Sequence, residues 1–65
     1  MPGLPGLKDE ALLDVRAVAE LLHLPSRAVY VLSEDRKLPH YKIGRRLRFS
    51  REQIEIFLAA QRVEP

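Results

Sequence analysis

Pro25 separates two apolar patterns at helical spacing, and neither pattern is long enough to make a stable helix alone. On its N-terminal side Val15, Val18, Ala19 and Leu22 recur at i, i+3, i+4 and i+7. Asp14 stands where such a helix needs its N-cap. Proline disfavours helical geometry at the residue before it, here Leu24, so the first helix ends near Leu22 or His23. A second helix begins at once, with either Pro25 as its first helical residue or Ser26 as its N-cap, and turns Ala28, Val29 and Leu32 inward. Helices of about eight residues fall below the ~12 to 15 that an isolated helix needs in water, so each must brace the other.

After Leu38-Pro39 the period changes from 3.6 to 2. Tyr41 and Ile43 alternate with Lys42, and Leu47 and Phe49 alternate with Arg46 and Arg48, which predicts a hairpin. Gly44 supplies the positive φ for a connection of about three residues. That loop length puts Tyr41, Ile43, Leu47 and Phe49 on an inner face, and Lys42, Arg45, Arg46 and Arg48 on the outer face and tip. Ser50 and Gln53 have capping-box spacing ahead of Ile54, Phe57 and Leu58, so a third helix is expected from about Arg51 to Gln61, closing the core over the hairpin. The expected fold is α+β: a small winged helix-turn-helix of three short helices with a two-stranded β-hairpin wing, spanning residues 12–61. Two copies of Pro-Gly-Leu make residues 1–11 a flexible arm, and residues 62–65 a tail.

With 46% apolar and 31% charged residues the chain is ordinary globular material, and its length allows one core. It has no cysteine, and His23 and His40 alone do not make a zinc site, so neither disulfides nor a metal is expected. Its longest apolar runs are five residues, against roughly 18 to 20 for a membrane span, which favours a cytoplasmic protein. The acids show no phased pairing with His or Ser, and Gly3, Gly6 and Gly44 are too scattered to cradle a phosphate. No enzymatic activity, cofactor or small-molecule ligand is expected.

Charge is where the sequence speaks most clearly. Between Arg36 and Arg51 lie seven basic residues and no acid, whereas the other 49 residues hold four basic and nine acidic groups. A wing that carried charge only for solubility would mix signs; one that carries only positive charge matches the phosphates of duplex DNA. Lys42, Arg45, Arg46 and Arg48 are therefore the wing candidates for DNA binding. On the second helix Ser26, Arg27 and Tyr30 face outward when Val29 and Leu32 face inward. Arg27 has the reach for a guanine edge or for a phosphate, and Ser26 suits a phosphate. Tyr30 either enters a groove or lies half buried against the hairpin. Arg51 and Lys37 are further phosphate candidates, while Arg16 reads as an ordinary surface charge.

The segments Leu13-Asp14-Val15-Arg16-Ala17-Val18-Ala19-Glu20-Leu21-Leu22, Ala28-Val29-Tyr30, Lys37-Leu38-Pro39 and Ile43-Gly44-Arg45-Arg46-Leu47-Arg48-Phe49 resemble those of the excisionase-type, MerR-like winged helix-turn-helix domains of phages and mobile elements. The resemblance implies a second helix in a major groove and a wing along an adjacent minor groove or its backbone. It implies double-stranded DNA as the partner, a site-specific recombinase (integrase) beside it, and self-association along the DNA. The corresponding role is that of a recombination directionality factor that bends DNA near an attachment site, with a small transcriptional regulator as the alternative. A protein-protein adaptor that has lost DNA reading is the rival from another class. Two positions depart from the family pattern: Val31 stands where a basic residue is common, and Arg36 where a glycine precedes the Lys-Leu-Pro element.

Overall fold

The computed structural model describes residues 11–64, so the predicted arm lies outside the described residues except for Ala11. The elements run α1 (Val15–Leu22), α2 (Ser26–Glu34), β1 (Tyr41–Ile43), β2 (Arg46–Arg48) and α3 (Arg51–Ala60). This is the predicted architecture of three helices and one antiparallel hairpin.

Local chemistry sets each boundary. The Asp14 carboxylate accepts the Ala17 N–H at 2.8 Å and starts α1. At its other end His23 adopts the left-handed conformation (φ 57°), and the Leu24 N–H reaches back to the Ala19 carbonyl at 2.9 Å. Pro25 then proves to be neither of the two things expected of this corner. It is the N-cap of α2, extended at φ −67° and ψ 151°, and Ser26 is the first helical residue with no capping bond from either side chain. The fixed φ of proline suits an extended cap, and its missing N–H is one that no helix start would use.

The end of α2 repeats the end of α1. Arg36 sits at φ 60°, its N–H bonded to the Ser33 carbonyl at 3.0 Å, while the Lys37 N–H bonds to the Leu32 carbonyl at 2.9 Å. This is a Schellman closure, in which glycine ordinarily occupies the left-handed position. Arg36 thus holds a conformation that glycine ordinarily takes. Ser50 and Gln53 form the reciprocal capping box of α3, at 3.1 Å and 2.9 Å.

The core gathers Val15, Val18 and Ala19 from α1, Val29 from α2, Leu38 and Phe49 from the connections, and Ile54 and Phe57 from α3. Leu38 and Phe49 are fully buried. Burying one such side chain contributes about 1.5 to 3 kcal/mol, which makes these two connections part of the core. Ala28 and Leu32 are only half-buried, whereas Ser33 is buried and satisfies its hydroxyl on the Val29 carbonyl at 2.9 Å. Leu58, expected on the inner stripe of α3, is exposed.

One pairing outside the hairpin fixes the wing on the body. Leu13 and Phe49 exchange both backbone hydrogen bonds, at 2.7 and 2.9 Å, so the residue before the α1 cap extends the ladder at the base of β2. A two-stranded hairpin is marginal by itself; this pairing and the burial of Phe49 anchor it.

Candidate nucleic-acid interface

The wing departs from expectation in its register. Tyr41 pairs with Arg48, Lys42 with Leu47 and Ile43 with Arg46, leaving only Gly44 and Arg45 as the connection. Gly44 has φ 65° and Arg45 no positive φ, matching the glycine-first requirement of a type II′ two-residue turn. Directly paired residues share a face, so removing one residue from the expected loop exchanges the faces of β1. Tyr41 and Ile43 lie outside with Arg46 and Arg48, and Lys42 lies on the face of Leu47. The predicted inner face therefore holds for Leu47 and Phe49 and fails for Tyr41 and Ile43, which are 43% and 56% exposed. Likewise the predicted outer set holds for Arg46 and Arg48 and fails for Lys42.

Between the wing and the helices runs an open groove of about 370 Å³. Arg45, Arg46 and Arg48 line it from the wing, Tyr30 from α2, and Arg16 from the first turn of α1. Asp14 is the one carboxylate among the lining residues, and its oxygen is committed to capping α1. Four guanidinium groups facing one shared space give a strongly positive field, reinforced by the low-dielectric wall behind it. Arg48 donates from Nη1 to the Leu47 carbonyl at 2.7 Å, which orients its planar fork and leaves its other donors for a ligand. Among the described residues an ion pair joins Arg62 to Glu64 at 2.6 Å, in the tail, and none engages Arg45, Arg46 or Arg48.

Arg45, Arg46 and Arg48 of the wing thus share one side of the molecule with Tyr30 of α2, and Lys42 does not. Tyr30 is half exposed and lines the groove beside the wing arginines, as the reading of a side chain half buried against the hairpin has it. Ser26 and Arg27, on the exposed first turn of α2, stand one turn before it. Arg16 belongs with them, although nothing in its own neighbourhood singled it out; the Leu13–Phe49 pairing brings the start of α1 beside β2. Arg51, at the start of α3, is not one of the residues that line this groove. Lys37 is exposed in the turn after α2.

A second hollow of about 340 Å³, lined by Ser33, Glu34, Arg36, His40, Lys42 and Leu47, mixes charges and so lacks the one-signed field of the first. His40, unassigned from the sequence, has a structural place there. Its Nδ1–H bonds to the Leu38 carbonyl at 2.9 Å, and its ring tilts against Phe49 with centroids 6.2 Å apart. Among the described residues no group of His, Cys, Asp and Glu forms a metal cluster, and no helix is long and apolar enough to cross a membrane.

A family model described as a helix-turn-helix domain matches residues 12–62, the whole of the unit described above. No curated protein and no solved structure matches the chain.

Proposed function

Because the chain belongs to the helix-turn-helix domain family, a DNA-binding family, we propose that it reads double-stranded DNA sequence-specifically as an excisionase-type recombination directionality factor, associated with the nucleoid and without enzymatic activity of its own. The observation that carries this reading is the arrangement of one groove. A guanidinium from α1, three from the wing and the tyrosine of α2 border a single open channel, whose one carboxylate, Asp14, accepts the Ala17 N–H that starts α1. With the first turn of α2 in a major groove, Arg27 meets base edges while the sugar-phosphate strand bounding that groove runs through the channel between Tyr30 and the wing.

A protein of this size binds weakly alone and bends DNA at a cost of about 1 to 6 kcal/mol. Several copies side by side, or one copy beside an integrase, supply that cost jointly, which fits a factor that biases a recombinase. Two measurements test the reading. A mobility shift at low and at raised salt should show duplex binding that weakens steeply with salt; no binding at low salt refutes DNA recognition and leaves an adaptor. An excision assay with the cognate integrase should depend on the protein; independence refutes the recombination role and leaves a transcriptional regulator.

A further inference from the structure

The outer face of the wing is not purely cationic. Cross-strand pairing sets Ile43 directly opposite Arg46 and Tyr41 directly opposite Arg48, so each guanidinium stem has an apolar neighbour within about 4.5 to 5.5 Å between Cβ atoms. Ile43 is 56% exposed at the hairpin tip, next to Gly44 and Arg45. Solubility does not account for a bare isoleucine there, because exposed hairpins are protected with charge, and the core already has Leu47 and Phe49 from the opposite face.

Resting on the DNA-binding reading above, we propose that Ile43 and Tyr41 form an apolar contact site for the deoxyribose edges and base steps of the minor groove. Arg46 and Arg48 decide the occupant. They line the positive groove and share a face with Ile43 and Tyr41, so a duplex held by the one brings its sugar-phosphate wall onto the other. Minor-groove walls offer this alternation of phosphate anion and apolar sugar. Apolar wedges of this kind also unstack base steps and bend the duplex. The wing then contributes affinity that salt does not screen and a preference for flexible steps, neither of which arginine alone provides.

The test uses the full chain and a mixed-sequence duplex of more than two helical turns, labelled at both ends. Binding is followed by anisotropy at about 50 and about 200 mM salt, and bending by end-to-end energy transfer. Ile43→Ser should weaken binding about fivefold to tenfold, by the same factor at both salt concentrations, and reduce the bend. Tyr41→Ser should act in the same direction. Both positions are exposed, so the melting temperature should stay close to that of the parent. Arg46→Ala provides the contrast, with a loss that is larger at low salt. Parent-like affinity and bending in both serine variants overturn the proposal while leaving DNA binding intact. Self-association that Ile43→Ser abolishes, with duplex affinity unchanged, also overturns it and assigns the face to a second copy of the chain. Failure of the parent protein itself to bind the duplex at low salt overturns the underlying functional reading as well.

Discussion

Replacing Arg16 with alanine tests the groove at the element where sequence offered least warning. Arg16 is exposed on the first turn of α1 and borders the channel that three wing arginines and Tyr30 complete. Neutralising one phosphate releases about 0.9 of a condensed counterion from B-DNA, so log affinity carries about 0.9 of log salt per contact. With Arg16, Arg45, Arg46 and Arg48 on phosphates and Arg27 on base edges, the slope should lie at about −3.6; without Arg16 it should lie at about −2.7. At about 0.1 M salt the lost contact amounts to roughly eightfold in Kd, and the deficit shrinks as salt rises. Titrations of one labelled duplex at four or more salt concentrations measure both quantities. Two controls isolate the groove: Arg62→Ala, whose guanidinium is already paired with Glu64 in the tail, and Lys42→Ala, on the opposite face of the wing, should each leave the slope unchanged. An Arg16→Ala slope equal to the parent's, or a Lys42→Ala slope that falls by the same amount, would refute the assignment of the channel to the DNA backbone.

Three further outcomes follow from single positions. Arg27→Ala should cost about 1 to 3 kcal/mol and flatten the preference among duplexes in a competition assay; a uniform loss across sequences reduces Arg27 to a phosphate contact. Arg36→Gly should raise stability, because a left-handed residue with a Cβ costs about 1 to 2 kcal/mol and the added freedom of glycine in the unfolded chain returns about 0.4 to 1 of it. The net of about 0.5 to 1 kcal/mol appears as roughly 2 to 8 °C in Tm by thermal melting, and a lower Tm would contradict the strain assigned to that closure. Ser50→Ala removes the hydroxyl half of the α3 capping box and should lower stability by about 0.5 to 2 kcal/mol in denaturant titration; an unchanged midpoint would mean that water caps the helix equally well.

The elements were legible because each is announced by chemistry within a few residues. Asp14 caps α1 and the Ser50–Gln53 pair opens α3 through bonds that span three residues, and Pro25 enforces the corner through its fixed φ. The helix ends were less legible for the same reason turned round. His23 and Arg36 hold left-handed conformations without being glycine: Leu24 and Lys37 return their N–H groups to Ala19 and Leu32 in each closure, and beyond the second one the burial of Leu38 adds a tertiary anchor. A local reading sees a histidine and an arginine and has no ground to expect either closure.

The site was legible in its composition and not in its geometry, and the hairpin shows why. Alternation marks which residues of one strand share a face, but it does not say which face of β1 accompanies which face of β2; the number of residues in the connection says that. A three-residue connection joins Tyr41 and Ile43 to Leu47, and a two-residue connection joins them to Arg46 and Arg48. Both fit the sequence of the strands, and Gly44 with a positive φ serves either. What separates them is non-local. Phe49 must face inward to pair with Leu13 and complete the core, which directs Leu47 inward and Arg46 and Arg48 outward. The tight turn then carries Ile43 out beside Arg46. The same Leu13–Phe49 pairing sets Arg16 beside β2, so the contact that exposes Ile43 also completes the positive channel.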